Sequence, residues 1–378
     1  MKKVFYLFII LITGACKEKY VPPFEAPANG YLVVEGNINN GNTTTSLQLT
    51  RTSTLSATGR IYEQGAIVTI EGKDNSVVLL PEQFAGHYTI SSLNLAPLQE
   101  YRLHIKIKAG KEYLSDYVAV KASPVIDSLT WERTPEGVET FVNAHDNLDA
   151  TRYYLWDYVE TWEFHSPYLK VLKYKNNTVE YIDSTTYGPD RSIMTCWSSR
   201  SSTNILLGST AKLNENKVYL PVCFVPKGSK DISVLYSINV RQFALSKEAF
   251  EFLEKMKKNT ESTGSIFDPQ PSELKGNIRS VTDPNEPVIG FVNISSLQEK
   301  RLFIYNNQLP GWNHNYPCLR QEIQNHPDSV KLAIDGGYFP TEVNIKLRET
   351  IVSFFVTASQ VCYDCTLSGT NVKPVFWP

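Results

Sequence analysis

Hydrophobic and polar side chains alternate along much of the chain, and this pattern predicts β-strands. Tyr101, Leu103 and Ile105 alternate with polar neighbours, which is the period of two that places one strand face on a core and the other in water. Turn residues such as Gly72-Lys73-Asp74-Asn75 separate neighbouring runs, as in antiparallel hairpins. The runs predict a small antiparallel sandwich over residues 29–123, with strands at residues 30–39, 45–51, 65–72, 76–80, 86–91, 100–109 and 112–120.

The same alternation continues beyond a boundary near Ala122-Ser123-Pro124, with one helical interruption. Ser246 stands at a capping position, and the apolar residues after it, Ala249, Phe252, Leu253 and Met256, recur at the spacing of one helix face. This spacing predicts a short helix near residues 247–258. Residues 124–378 therefore form a second, larger β-rich sandwich domain in this interpretation, with strands at 126–133, 137–144, 151–164, 203–207, 217–225, 231–245, 288–294, 301–306 and 350–358.

The N-terminal segment has the order of an export signal. Lys2 and Lys3 precede an apolar run over residues 4–12, and small residues then lead to Cys16. The run is far shorter than the roughly 20 residues needed to span a bilayer. We expect residues 1–15 to be a lipoprotein signal peptide, Cys16 to be lipidated, and residues 16–28 to form a Pro-rich tether. The alternative is an ordinary secretory signal that happens to contain a cysteine.

Composition supports a folded body and excludes one class of partner. Hydrophobic residues make up 42% of the chain and charged residues 20%, which is ordinary globular usage. The net charge of −2 provides no basic surface excess for nucleic acid. The predicted membrane contact is therefore the N-terminal lipid alone, and the aromatic-rich composition (12%) favours strands.

Few residues suggest chemistry, and we predict no catalytic residue, no metal ligand and no cofactor. No phosphate-binding glycine loop, zinc-protease motif or nucleophile elbow occurs in the sequence. The loop His145-Asp146-Asn147-Leu148-Asp149 groups an imidazole with two carboxylates. Such a loop holds calcium in some proteins and forms a plain turn in many more, and the turn is favoured here.

One strand carries an aromatic stripe. Side chains alternate with period two, so one face of the strand contains Tyr154, Trp156, Tyr158, Trp162 and Phe164. Trp156, Tyr158 and Trp162 are candidate contacts for a ligand such as a sugar ring, with Glu160 between them as a partner for a hydroxyl. The inner face of a sandwich is the favoured alternative.

Five cysteines remain if Cys16 is lipidated, and an exported chain permits disulfides among them. Two bridges from five thiols allow fifteen connectivities. Cys362-Tyr363-Asp364-Cys365 follows a predicted strand rather than opening a helix, so a structural role is favoured over a redox one. We expect Cys318, in a Pro-flanked loop of the same half, to pair with Cys362 or Cys365.

Several segments resemble the domain of unknown function 4249 family. They are residues 362–377, beginning Cys362-Tyr363-Asp364-Cys365, together with Ser265-Ile266-Phe267-Asp268-Pro269, Gly276-Asn277-Ile278 and Asp283-Pro284-Asn285-Glu286-Pro287. The resemblance implies a cell-envelope lipoprotein of Bacteroidota-type bacteria, encoded beside TonB-dependent outer-membrane transporters, and it implies no catalytic residue. The spacing of Gly65-Ala66-Ile67-Val68, Gly86-His87-Tyr88 and Tyr101-Arg102-Leu103 resembles Ig-like modules of the carboxypeptidase-regulatory or transthyretin-like type. We therefore expect the first sandwich to be Ig-like.

Two function hypotheses follow. The favoured one is a non-catalytic outer-membrane lipoprotein, surface-exposed or periplasm-facing, that binds a ligand or assists a TonB-dependent β-barrel transporter. The alternative is an envelope hydrolase acting on glycan or peptide, with Asp146, Asp149 and Glu160 in a cleft. Carboxylates about 5–9.5 Å apart in an open groove would support the hydrolase. An apolar or aromatic patch without paired acids would support the binding protein.

Overall fold

Strands dominate the chain, as its alternating pattern predicts, and the fold is mainly β with sandwich-like sheets. A computed structural model describes residues 30–53, 59–97, 99–183, 185, 190–261, 274–348 and 350–378. The predicted signal peptide, Cys16, the tether over residues 16–28 and the segment around Phe267 lie outside the described residues.

A ten-stranded central sheet runs through the molecule. Its strands are β1 (Leu32–Arg51), β2 (Ile61–Tyr62), β5 (Glu82–Phe84), β6 (His87–Leu93), β12 (Tyr153–His165), β15 (Thr195–Ser201), β16 (Leu206–Ser209), β18 (Leu235–Ala244), β20 (Val288–Ile289) and β21 (Ile294–Tyr305). The hydrogen-bonded path is β15-β12-β18-β21-β1-β6-β5, and β16, β2 and β20 pair beside it. The strand β1 is therefore the seam between the two halves of the sheet.

The strand β1 joins residues that the sequence assigns to two separate strands. Ile38 pairs in parallel with Ile294 of β21, whereas Leu47 pairs in antiparallel with Tyr88 of β6. A register shift between Gly41 and Thr44 lies at the start of the antiparallel pairing, directly after the last parallel pair at Asn40. An irregularity of this kind turns a strand without ending it, which explains how one strand of 20 residues serves both halves.

The first sandwich packs a second sheet on the β1-β6-β5 end of the central sheet. This sheet consists of β3 (Ile67–Gly72), β4 (Val77–Leu80), β7 (Glu100–Lys106), β8 (Glu112–Ser115), β9 (Val118–Ala119) and β19 (Ile278–Ser280). Leu103 and Ile105, whose alternation predicts an inward face, are buried in its core. The period-two argument thus identifies the correct face of β7.

Residues 278–294 complete this first sandwich, although the sequence-based division at residue 123 places them in the second domain. Ile278, Val288 and Ile294 lie in the same hydrophobic core as Leu103. Strand β19 pairs with β8, and β20 pairs in parallel with β1. The boundary near residue 123 therefore does not separate two independent sheets. The sequence around residue 123 does not reveal this, because the pairing of β1 with a distant parallel strand produces no pattern in the local sequence.

The second sandwich packs a three-stranded sheet on the other end of the central sheet. Its strands are β10 (Ile126–Arg133), β11 (Gly137–His145) and β17 (Lys217–Pro226). The core between the sheets contains Val142, Trp156, Val222 and Ile238. These strands lie within residues 124–378, the range predicted for the second domain.

A third hydrophobic cluster forms a small additional unit. Its elements are the hairpin β13 (Leu172–Lys175) and β14 (Thr178–Tyr181), the sheet of β22 (Arg320–Gln324), β23 (Phe339–Leu347) and β24 (Thr350–Thr357), and a helix over Pro327–Asp335. Leu172, Val330 and Phe354 are fully buried there. Of its strands, only one near residues 350–358 is among the sequence predictions. Strands β13, β14 and β22 have only 4, 4 and 5 residues, and the pairing of β23 with β24 is interrupted by three register shifts.

Two helices occur among the described residues, where the sequence predicts one. Helix α1 spans Lys247–Glu261, somewhat longer than predicted, and helix α2 is Pro327–Asp335. The Ser246 hydroxyl accepts a hydrogen bond from the Ala249 amide at 3.0 Å, which is a normal N-cap. Helix α2 has 9 residues, and the apolar side chains that it buries at least in part, Val330, Ala333 and Ile334, extend over little more than one turn. Neither of these helices has the length and apolar character needed to cross a membrane.

Candidate functional site

The aromatic stripe of β12 lies inside the second sandwich, which is the alternative that the sequence favours over a ligand surface. Trp156 is fully buried and Trp162 is 5% exposed. The indole Nε1 of Trp156 donates a hydrogen bond to Oε1 of Gln242 at 2.9 Å. Tyr158 is partly buried and packs against the same core. These side chains are core residues because the stripe faces the opposing sheet rather than solvent.

Glu160 lies in a buried polar cluster rather than in an open cleft. Its carboxylate accepts hydrogen bonds from Nε and Nη2 of Arg200, at 2.8 and 2.9 Å, and from the Tyr236 hydroxyl at 2.9 Å. Nη2 of Arg200 also donates to Asp231 at 3.2 Å. Because the Arg200 guanidinium donates to the carboxylate in a bidentate manner and the Tyr236 hydroxyl donates to it as well, we assign Glu160 a structural role.

Cys223, the free cysteine of the described residues, is buried beside this carboxylate. Its Sγ lies 3.5 Å from Oε1 of Glu160 and 3.6 Å from the Tyr236 hydroxyl. Burial, and then the negative charge of Glu160, raise the pKa of the thiol to about 12. The thiolate is the reactive form of cysteine, so this side chain is inert near neutral pH.

The loop containing His145 and its two acids is a stabilised turn. Asp146 accepts hydrogen bonds from the amides of Leu148 and Thr151, both at 3.0 Å. Asp149 pairs with Arg152, and this contact lowers the pKa of its carboxyl group. Across the described ranges no cluster of three His, Cys, Asp or Glu side chains could hold a metal ion. The three carboxylates considered for a hydrolase therefore already have hydrogen-bond partners. Asp146 and Asp149 belong to this turn, whereas Glu160 belongs to the buried polar cluster.

Four cysteines form two disulfides. Cys318 bonds to Cys362 and Cys196 bonds to Cys365, with Cα–Cα distances of 5.8 and 5.7 Å. The two cysteines of the Cys362-Tyr363-Asp364-Cys365 motif therefore have different partners. The first bridge closes a loop around the third unit, and the second joins β15 to the C-terminal segment.

An apolar cleft lies between helix α1 and the central sheet, where the two sandwiches meet. Its volume is about 220 Å³. Leu253 and Met256 come from the helix, and Val33 and Leu155 come from β1 and β12. The other apolar side chains that remain partly exposed there are Ile289 and Phe291. Partly exposed apolar side chains from four segments make this the strongest candidate binding site among the described residues.

Polar contacts and one glycine hold the walls of the cleft in place. Asn293 is 6% exposed. Its Oδ1 accepts from the Ser246 amide at 3.3 Å, and its Nδ2 donates to the Ala244 carbonyl at 3.0 Å. Gly290 has a φ of 147°, and a Cβ there would lie 2.5 Å from the carbonyl oxygen of Val34. The start of helix α1 and the approach of β20 to β1 are therefore both fixed before anything binds.

A larger polar groove of about 540 Å³ lies on the other side of helix α1. Its lining carries charges of both signs, from Asp116, Lys121, Glu248, Glu251 and Lys255. The pKa of Glu248 is lowered by its own backbone amide and by Ser246, as expected at a helix N-terminus. An apolar centre beside a mixed polar rim is the usual anatomy of a protein–protein contact.

Sequence reasoning found part of this site but misassigned it. Leu253 and Met256 belong to the predicted buried stripe, yet they line the cleft and are only partly covered. Val33, Ile289 and Phe291 meet them only through the tertiary fold, and no local pattern marks these residues. The sequence contains one indication of the cleft. The apolar stripe of the helix has four residues, but only two of them, Ala249 and Phe252, are buried in the structure.

The sequence matches a family model described as "Domain of unknown function (DUF4249)" over residues 17–301. This range includes the apolar cleft and ends before the C-terminal segment 362–377. No curated protein sequence matches the chain.

Two similar solved structures are a two-domain fibronectin type-III segment of chicken tenascin and the Yersinia pseudotuberculosis adhesin InvE. The tenascin segment is 12% identical, with 56% of this chain and 88% of that chain covered and a TM-score of 0.16. The adhesin is 13% identical, with 57% and 55% covered and a TM-score of 0.15.

Proposed function

The chain belongs to the DUF4249 family, and on that basis we propose that it is a lipid-anchored envelope protein that binds a partner without catalysing a reaction. In this proposal Cys16 carries the lipid and the outer membrane of a Bacteroidota-type bacterium is the location. The partner is a TonB-dependent β-barrel transporter, which the chain assists.

The apolar cleft beside helix α1 is the observation that carries this proposal. Its volume of about 220 Å³ is below the roughly 300–1,000 Å³ of typical small-molecule pockets. It is better suited to one or two apolar side chains of a protein partner, which is how interface anchors bind. The charged groove on the other side of α1 supplies the polar rim of such a contact.

Two further features support export and membrane anchoring. The segment up to Cys16 has the order of a lipoprotein signal. The described residues also contain two disulfides, which persist in oxidising compartments outside the cytosol. The hydrolase alternative gains no comparable support, because Asp149 and Glu160 are paired with arginines.

Lipidation is tested by metabolic labelling with radioactive palmitate. We expect label in the wild-type protein and none in Cys16→Ala, because the acyl chains are attached through that cysteine. Equal labelling of both proteins would refute the anchor.

Partner binding is tested by filling the cleft. Leu253→Trp, in the wall of the cleft, should reduce co-purification of a β-barrel protein after mild solubilisation. Loss of an anchor contact worth about 2 kcal/mol weakens binding about 30-fold. Glu254→Gln is the matched control, because Glu254 is on the exposed face of the same helix and should leave capture unchanged. Undiminished capture by Leu253→Trp would show that the cleft is not the binding site.

A further inference from the structure

An exposed aromatic patch lies at one end of the first sandwich. It consists of Tyr62, Phe84 and His87, with Ile61 next to Tyr62 along the chain. Phe84 is 63% exposed, Ile61 49% and Tyr62 37%. The His87 ring is 4.2 Å from the Phe84 ring and 5.5 Å from the Tyr62 ring, measured between centroids. These side chains therefore form one continuous surface.

The patch is held in place by the backbone around it. Gly86 has a φ of 69°, and a Cβ there would lie 3.0 Å from the Tyr62 side chain and 2.7 Å from the Leu49 carbonyl oxygen. The Gly86 amide donates to Oε1 of Glu82 at 2.8 Å. The turn between β5 and β6 is thus tightly packed against β2, and Phe84, in the strand that leads into it, is exposed beside the His87 ring.

This patch lies beside the point where the described chain begins. The Tyr31 amide donates to the Thr52 hydroxyl at 2.9 Å, and the Thr52 amide donates to the Tyr31 carbonyl at 3.0 Å. Just before Thr52 along β1, Thr50 and Arg51 pair with Tyr62 and Ile61 of β2. The first described residues and the patch therefore share one end of the sandwich.

Charge does not explain the patch. The charged side chains around it all have partners: Arg51 pairs with Glu63 at 2.6 Å, Arg60 pairs with Glu35 at 3.2 Å, and the Glu82 carboxylate accepts hydrogen bonds from the Gly65 and Gly86 amides, both at 2.8 Å. An isolated basic cluster would suggest attraction to acidic headgroups, but no such cluster faces this surface among the described residues. The chemistry available at the patch is that of aromatic and aliphatic side chains.

We propose that the patch of Ile61, Tyr62, Phe84 and His87 rests in the interface of the bilayer that holds the anchor. This inference depends on the proposed lipidation of Cys16. Thirteen residues separate Cys16 from Gly30, and even a fully extended chain of that length spans only about 45 Å. The tether thus keeps this end of the first sandwich close to the membrane, and the patch has a high effective concentration at the bilayer surface. Aromatic rings with a polar edge prefer the headgroup region.

The test places a nitroxide label at the patch in the intact, acylated protein. Single cysteines are introduced as Phe84→Cys and Tyr62→Cys, with Leu332→Cys as the matched control. Leu332 is 77% exposed and lies on helix α2 in the third unit. Buried Cys223 does not compete for the label because its thiol is inert. The protein is reconstituted in vesicles of phosphatidylethanolamine and phosphatidylglycerol, and collisions with oxygen and with a water-soluble nickel complex are measured.

Labels at positions 84 and 62 should collide with oxygen and be protected from nickel, while the label at 332 should collide freely with nickel. If both patch labels collide with nickel while the protein still floats with the vesicles, the patch inference is wrong and the anchor stands. If the protein does not float with the vesicles, both proposals fail. Protection of the patch only after a barrel protein is added would make the surface a protein contact and would overturn its assignment to lipid.

Discussion

Glu160 and Cys223 share one buried polar cluster, and their surroundings determine the role of each side chain. Glu160 is 2% exposed and is bound by Arg200 and Tyr236. Burial beside that carboxylate keeps the Cys223 thiol protonated. Glu160, which the sequence analysis names as an acid of a hydrolase, and Cys223 are therefore both buried parts of the second sandwich.

Replacing Glu160 should destabilise the protein through the partners left behind. In Glu160→Ala the Tyr236 hydroxyl loses its acceptor in the core, which costs about 1–3 kcal/mol. Arg200 is 52% exposed, so its lost ion pair adds little. Chemical denaturation should show this loss, and Glu160→Gln, which retains an acceptor oxygen, should lose less. Equal stability of wild type and Glu160→Ala would contradict the structural role of the carboxylate.

Cys223 should make stability depend on alkaline pH. The thiol of the unfolded chain loses its proton near pH 9, whereas the folded protein holds the proton up to a pKa of about 12. Between these values the unfolded state binds fewer protons, so the free energy of unfolding falls by about 1.4 kcal/mol per pH unit from this group alone.

The measurement is the difference in unfolding free energy between wild type and Cys223→Ala from pH 8 to pH 11. Titrating groups away from Cys223 are common to both proteins and cancel, whereas the pKa values of Tyr158 and Tyr236 are raised in part by Cys223 and contribute to the same difference. The difference should shift steadily in favour of Cys223→Ala above pH 9. A difference that does not change with pH would mean that the thiol is not held protonated.

Single elements of this fold depend on contacts outside themselves. Helix α1 is capped by Ser246, yet its start is also bound by Asn293, which comes from the segment before β21. Strands β22 and β24 belong to a small unit with a small core. Because so little apolar surface is buried there, a covalent link near both ends of the unit contributes a large part of its stability.

Removing the Cys318–Cys362 bridge should loosen the third unit selectively. The bridge closes a loop with a sequence separation of 44, and loss of such a bridge typically costs 2–4 kcal/mol. In the double variant Cys318→Ala/Cys362→Ala, hydrogen exchange should accelerate in β22, β24 and α2. Exchange in β7 of the first sandwich should remain unchanged and serves as the internal control. Uniform acceleration across the whole chain would show that the unit is not independent.

The whole molecule is organised by the ten-stranded sheet that both sandwiches share. Strand β1 belongs to the first sandwich by sequence, but its parallel partners β20 and β21 come from after residue 280. Strand β21 also pairs with β18 of the second sandwich. The two sandwiches are therefore joined by backbone hydrogen bonds, and neither corresponds to one continuous stretch of chain.

A fragment of residues 30–123 should therefore fail to fold, although the alternating pattern suggests a complete domain. It lacks Ile278, Val288 and Ile294 of the first core, and each buried aliphatic side chain contributes about 1.5–3 kcal/mol. Their sum is comparable to the 5–15 kcal/mol stability of a typical domain. Circular dichroism during thermal unfolding should show a cooperative transition for residues 30–378 and none for the fragment. A cooperative transition in the fragment would show that residues 278–294 are dispensable.

The sequence by itself determines the local features of this protein. The alternation around Leu103, the stripe of helix α1 and the order of residues up to Cys16 depend on neighbours along the chain, so a short window contains the relevant physics. Which face of β12 meets the core, which cysteines pair, and which strands lie beside β1 depend on encounters between distant segments. Their free energies are set by packing and by pairing across the whole sheet, so only the tertiary structure decides that Trp156 is buried, that Cys365 bonds to Cys196, and that a cleft opens beside Leu253.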